Sequence, residues 1–171
     1  MKPAQVAIRA ATPEDVPSIA AIYGHAVLNT VATLDTEEPT TASMSEWLSH
    51  HDAAHPVIVA SVNGETLGWG SLSAWSPKGG YRTTAEASVY VAPAHHGSGI
   101  GTRLLQDLIA RARALGVHVI VARISAENRT SLQLVARCGF TPVGTMRESG
   151  FKFDRYVDVE VLQLTLNDSC I

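Results

Sequence analysis

Hydrophobic and polar positions change period several times along the chain, and each change marks an element. Val6-Ala7-Ile8-Arg9 reads as a short strand. Thr12-Pro13-Glu14-Asp15 then carries a capping hydroxyl, a proline at the first helical position and acids in the first turn. Val16, Ile19, Ala20, Tyr23 and Val27 continue from it at helical spacing. A polar segment rich in Thr and Glu separates this helix from a second, shorter one around residues 44–50. Residues 57–62, the turn Asn63-Gly64 and residues 66–74 form a hairpin signal. Residues 76–80 read as a loop, and 83–91 as a third strand of the same run. Ile100, Leu104, Leu105, Leu108, Ile109 and Ala112 mark one face of a helix that Gly116 ends. Residues 117–124 read as a buried strand and 130–138 as a short helix ended by Gly139. Two strands, near 142–147 and 155–166, complete the order β-α-α-β-β-β-α-β-α-β-β. Three antiparallel strands feeding a βα unit predict an α/β fold, a mixed, mostly antiparallel sheet with helices on both faces. With 171 residues and no internal repeat, low-complexity tract or linker, residues 1–171 are expected to form a single domain.

Composition narrows the partners. Hydrophobic residues make up 46% and charged residues 17%, ordinary for a globular protein, and the formal net charge is -3. That balance, with no basic run interleaved with aromatics, argues against nucleic acid as a partner. No apolar stretch is long enough to span a membrane, and the first residues lack a signal peptide's apolar run. Cys138 and Cys170 have neither metal-ligand spacing nor a disulfide framework, so free thiols in a cytoplasmic protein are expected. His50, His51 and His55 fit no standard zinc motif, and no metal is expected.

The chemistry concentrates where the third strand of the run meets the following helix, at His95-His96-Gly97-Ser98-Gly99-Ile100-Gly101-Thr102. Glycines at 97, 99 and 101 allow a tight turn with uncovered N–H groups. The helix adds orphan donors and the positive end of its dipole, so the turn is suited to a phosphate or pyrophosphate. A Walker loop would need Lys followed by Ser or Thr after its last glycine, but Thr102-Arg103 follows Gly101. A dinucleotide fingerprint would need Gly-x-Gly-x-x-Gly after a first strand and an acid about 20 residues on. Here the spacing is Gly-x-Gly-x-Gly, and the next strand ends Ala122-Arg123-Ile124-Ser125 with no acid at its tip.

His96-x-x-Gly99-x-Gly101 resembles the acyl-CoA pyrophosphate loop of the GNAT acetyltransferases, departing from it at the first position, where that family has Arg or Gln. Downstream, Asn128-Arg129-Thr130-Ser131-Leu132, followed by Cys138-Gly139-Phe140, resembles the second GNAT signature. The likeness extends to the phosphinothricin/methionine-sulfoximine N-acetyltransferases. It runs through residues 29–33, Glu38-Pro39, Trp47, residues 81–91 with Ala85-Glu86-x-Ser88-Val89-Tyr90-Val91, residues 150–153 and Tyr156-x-Asp158-Val159.

That resemblance implies a GNAT fold and acetyl transfer from acetyl-CoA to the primary amine of a small amino acid or analogue, with a homodimer as the assembly and the C-terminal strands near its interface. Glu86 matches the family's catalytic glutamate and would act as general base. Strand alternation puts Glu86, Ser88 and Tyr90 on one side and Ala87, Val89 and Val91 on the other. The amides of Val89 and Val91 would pair with the pantetheine, and that of Val89 could stabilise the oxyanion. His96, Gly97, Ser98, Gly99, Ile100, Gly101 and Thr102 would hold the pyrophosphate, with Asn128 and Ser131 facing the pantetheine arm. Where GNAT enzymes often carry Tyr, and this branch His, the chain has Val135, which cannot protonate a thiolate. Tyr90 and Tyr156 are the substitutes considered, against simple aromatic packing. For a substrate carboxylate, Arg82 beside Tyr81 and near Lys78 offers the donor fork. Thr30 and Thr33 are candidates for the polar tail, with capping or turn roles as the alternative. Lys152 would line the same cleft or contact a partner subunit. Two other functions fit the same residues: acetylation of a protein N-terminus or another amine, and CoA sensing without turnover.

Overall fold

The computed structural model describes residues 6–166; Cys170 lies outside them. Its strands and helices follow the predicted order: β1 (Ala7–Ala10), α1 (Val16–Asn29), α2 (Thr41–Ser49), β2 (Val57–Val62), β3 (Glu65–Ala74), β4 (Thr84–Val91), α3 (Ile100–Ala114), β5 (Val119–Ser125), α4 (Arg129–Arg137), β6 (Thr141–Lys152) and β7 (Arg155–Thr165). One sheet of seven strands runs β1-β2-β3-β4-β5-β7-β6. Neighbours are antiparallel except β4 and β5, which are parallel.

Helices cover both faces. On one, α3 buries Ile100, Leu104, Leu105 and Leu108 against Ile58, Leu72, Ile120 and Leu162. On the other, Val16, Ile19 and Ile22 of α1 and Met44 of α2 pack with Val59 and Trp69. Each fully buried Leu or Ile contributes about 1.5–3 kcal/mol, so both faces are strongly specified. A buried carboxylate fastens the first helix. Asp15 accepts from Arg9 at 2.6 and 2.8 Å, from the Thr12 amide at 2.9 Å and from Thr66 Oγ1 on β3 at 2.8 Å. The Arg9 guanidinium holds the Asp15 carboxyl far below the usual carboxylate range.

Two features open the fold for function. The parallel register joins β4 to β5 only from Thr84↔Val119 to Glu86↔Val121. Beyond it the strands diverge, leaving Ala87–Val91 without a partner on that side. The second feature is the loop between α1 and α2. Thr30 Oγ1 donates to the Ala26 carbonyl at 2.8 Å and ends α1. Lys152, 3% exposed, donates from Nζ to the Thr33 carbonyl at 2.8 Å. Leu34 lies so close to Gly150 that a Cβ there would sit 2.5 Å from Leu34 Cδ1. The β6–β7 hairpin therefore clamps the α1–α2 loop, and Lys152 is a structural pin rather than a cleft residue. β6 also outruns its predicted length. Its register shifts between Met146 and Gly150, with Glu148 at φ 51°, carry the strand past the polar run 147–149.

Candidate active site

A cleft of about 840 Å³ runs through the opening between β4 and β5. Its floor is the glycine turn, where Gly97 and Gly99 take φ of 76° and 83°, a left-handed conformation glycine adopts without strain. Gly99 caps α3 with no side-chain acceptor, so the first-turn amides face the cleft uncovered. Ile100, Gly101 and Thr102 line the same wall. Two neighbouring side chains brace the turn instead of reaching out. His96 Nε2 bonds to the Val91 carbonyl at 2.9 Å, and Ser98 Oγ donates to the His95 carbonyl at 2.6 Å. Asn128 caps α4 by accepting from the Ser131 amide at 3.2 Å, and both residues line the cleft.

Val89 and Val91 line the cleft and pack their side chains against the α3 core. The Ala92 amide donates to Leu67 on β3. Alternation along an extended strand turns the amides of Val89 and Val91 the opposite way, into the opening. Val135 is buried in the wall of the cleft and supplies no proton donor.

On the other face of β4 lies a smaller cavity of about 380 Å³. Tyr23, Trp47, Trp69 and Tyr90 form its aromatic walls, and Asp35, Glu37 and Glu38 line it with carboxylates. The rings of Trp69 and Tyr90 lie 4.9 Å apart, and those of Tyr23 and Tyr90 5.0 Å. Tyr23 Oη donates to Asp35 at 2.6 Å and lies 2.9 Å from Thr33 Oγ1. Trp69 Nε1 is buried and has no hydrogen-bond partner among the described residues. Ser88 and Tyr90 line both cavities, so the two spaces meet at β4. Desolvation pushes the Tyr90 phenol up to about 12.

Glu86 stands one alternation before Ser88. It receives a bidentate ion pair from Arg123 on β5, Nε at 2.7 Å and Nη2 at 2.8 Å. The Glu86 side chain is 20% exposed and that of Arg123 51%. The guanidinium lies 5.6 Å over the ring of Trp75, and Arg123 lines the cofactor-sized cleft. Glu86 raises the Arg123 pKa further, so that partner stays charged.

Not every sequence candidate reaches these spaces: Glu86, its carboxylate turned to Arg123, and Ser98 line neither cavity. Lys78, Tyr81 and Arg82 sit on the exposed β3–β4 connection and line neither cavity. That connection forms its own short turn, with Arg82 ending it. Thr30 lines the large cleft with its hydroxyl committed to the helix end and to the Ala32 amide at 3.0 Å. Thr33 bonds to Tyr23 and so supports the wall of the small cavity. Tyr156, 65% exposed, packs on Phe151 away from both cavities. Sequence reasoning missed the pairing of Arg123 with Glu86. Its signal was alternation: Val121 pairs with Glu86, which puts residue 123 on the same face one step along. Among the described residues no cluster of His, Cys, Asp and Glu could hold a metal ion, and no helix is long and apolar enough to cross a membrane.

A Gly-rich strand-to-helix cradle at a split between two parallel strands is the architecture of an acyl-CoA-dependent transferase. The sequence matches the Acetyltransferase (GNAT) family over residues 20–140, and the chain belongs to that family. It is 43% identical over 162 residues to the L-methionine sulfoximine/L-methionine sulfone acetyltransferase of Pseudomonas aeruginosa, covering 94% of each chain. It is 36% identical to the phosphinothricin N-acetyltransferase of Alcaligenes faecalis, covering 94% of this chain and 82% of that one. Among solved structures it resembles yncA from Salmonella typhimurium, determined with its cofactor acetyl-CoA. The TM-score is 0.91 with 38% identity, covering 96% of this chain and 99% of that one.

Proposed function

We propose that the chain transfers an acetyl group from acetyl-CoA to the α-amine of a small amino acid with a polar tail, of the methionine sulfone and sulfoximine class. The observation that carries this reading is the meeting of the two cavities at Ser88 and Tyr90, one and two steps along β4 from Glu86. The large cleft takes the cofactor: the α3 amides and Gly97–Thr102 suit its pyrophosphate, Asn128 and Ser131 its pantetheine arm. Bound acetyl-CoA supplies the acetyl group as a thioester.

Glu86 accepts a proton from the substrate ammonium, directly or through a water. The freed amine attacks the thioester carbon, forming the C–N bond. The Val89 amide donates to the carbonyl oxygen as negative charge gathers there. When the C–S bond breaks, Val135 offers no proton, the sulfur departs as a thiolate near its ordinary pKa of about 8.5, and the nitrogen sheds its second proton to water. Tyr90 remains a phenol and can donate a hydrogen bond in the space where the cavities join. The small cavity receives the substrate tail, and the unpartnered Trp69 N–H is its donor for a sulfone or sulfoximine oxygen. The enzyme works in the cytoplasm as a homodimer. The exposed Val143, Met146, Phe151, Phe153 and Tyr156 of the β6–β7 hairpin are the surface a second copy covers.

The test is thiol release from acetyl-CoA with L-methionine sulfone, L-methionine sulfoximine, phosphinothricin and a peptide with a free N-terminus. Release with the sulfone and sulfoximine is expected. Release with the peptide alone would replace this reading with N-terminal acetylation, and binding of CoA with no release for any amine would make the chain a sensor. Light scattering checks the assembly, with twice the chain mass expected.

A further inference from the structure

The ion pair at the split between β4 and β5 has donors to spare. A guanidinium carries five N–H groups in a planar fork. Glu86 takes one from Nε and one from Nη2 of Arg123, and Nη1 has no hydrogen bond among the described residues. The side chain is half exposed, backed by the Trp75 ring, and lines the cofactor cleft at the level of Glu86. The acceptor-side cavity contains no Lys or Arg among its lining residues, only the carboxylates of Asp35, Glu37 and Glu38. The other arginine in the cleft wall, Arg137, lies on the last turn of α4. Arg82 stands outside on its exposed turn. An amino-acid substrate still needs a partner for its α-carboxylate, because a carboxylate brought into a cleft walled by acids and aromatics is disfavoured unless paired.

Resting on the function proposed above, we infer that Arg123 is the anchor for the substrate α-carboxylate. The Glu86–Arg123 pair is a charge template for a zwitterion: carboxylate and guanidinium side by side face an ammonium and a carboxylate borne on one carbon. The α-ammonium docks on Glu86, and the α-carboxylate takes the free Nη1 edge of Arg123. Arg123 thus fixes the amine against the residue that deprotonates it, and it reads the one feature that separates a free amino acid from a protein N-terminus. In a peptide the atom next to the amine-bearing carbon is an amide carbonyl, which leaves the guanidinium edge without its anion.

The experiment compares kcat/KM for L-methionine sulfone with that for L-methionine sulfone α-carboxamide, which keeps the amine and the tail and removes the charge. The wild type is expected to prefer the acid by about 30- to 100-fold, the range of a charge-assisted pair. Arg123→Gln is expected to cut that preference below about fivefold, through KM for the acid, and Arg123→Lys to restore part of it. An unchanged melting temperature and far-UV circular dichroism spectrum establish that the variants are folded. If Gln or Lys at 123 lowers acid and amide equally and the preference survives, Arg123 only positions Glu86 and the inference is overturned. A wild type that uses acid and amide equally also overturns it and leaves the acetyltransferase reading intact. A wild type that acetylates neither overturns the proposed function itself.

Discussion

The two cavities that meet on β4 are built in opposite ways. On the function proposed above, the large cleft recognises with backbone: it offers the strand amides of Val89 and Val91, a turn whose Gly97 and Gly99 are left-handed, and the uncapped start of α3. The small cavity, proposed for the acceptor, presents side chains instead: Tyr23 from α1, Asp35 and the two glutamates from a loop, Trp47 from α2, and Trp69 and Tyr90 from the sheet. Backbone recognition suits an invariant ligand, because any non-proline residue supplies the amide and only the turn geometry is demanding. Side-chain recognition suits a ligand that varies between related enzymes, since one substitution alters charge or shape. Glu86 stands at the seam and lines neither wall, and Arg123 reaches it from the wall of the large cleft.

The comparison is tested hardest at that seam. Glu86→Gln keeps shape and removes the base, so kcat should fall by about 10²–10³-fold. CoA affinity, measured by calorimetry, should not change, because Glu86 does not line the large cleft. A variant that keeps full turnover removes Glu86 from the chemistry. The next largest effect belongs to the backbone wall. Gly99 has open space around a Cβ but φ 83°, so Gly99→Val is a conformational change, not a clash. A β-branched residue there costs about 1–2 kcal/mol, which predicts roughly a tenfold rise in KM for acetyl-CoA. The KM for the amine should stay the same. If both rise together, the two walls are not independent.

The same contrast explains what could be read from the chain. The glycine turn, its flanking strand and the α3 stripe of Leu104, Leu105 and Leu108 are local, so spacing alone exposes them. The alternation of Glu86, Ser88 and Tyr90 against Val89 and Val91 was equally legible. The acceptor cavity depends on how the β6–β7 hairpin holds a loop more than 100 residues earlier, through Lys152 and Thr33, and no local period carries that. Arg82, the clamp candidate nearest in sequence, ends an exposed turn and lines neither cavity, which no local period in the chain announces. Arg123, 37 residues away, reaches Glu86 because β4 and β5 pair in parallel.

Charge on the side-chain wall should sharpen the comparison by a smaller amount. Asp35, Glu37 and Glu38 disfavour an anionic tail, so the sulfone should be preferred over phosphinothricin. Glu37 and Glu38 are exposed and screened, so each contributes no more than about 1 kcal/mol. Glu38→Gln should therefore raise kcat/KM for phosphinothricin relative to L-methionine sulfone by about twofold to fivefold, more at low salt than at high salt. A ratio indifferent to both the substitution and the salt would mean that the tail lies elsewhere.

The smallest effect tests whether the junction needs an acid at all. Val135 donates nothing, and Tyr90, held up to about 12 by desolvation, keeps its proton through the range in which the enzyme can be assayed. A phenol raised in this way loses its proton only as pH climbs through about 12, so it cannot produce a falling limb at moderate pH. The rate should instead rise as the substrate ammonium becomes easier to deprotonate, then level off, with kcat/KM flat to pH 10. Tyr90→Phe removes a hydrogen bond to a weak sulfur acceptor, worth about 0.5 kcal/mol, and should lower kcat roughly twofold without changing the shape of the profile. A wild-type profile that falls between pH 8 and 9.5 would demand a proton donor with an ordinary pKa at the junction, and the departure of CoA as a thiolate would then be wrong.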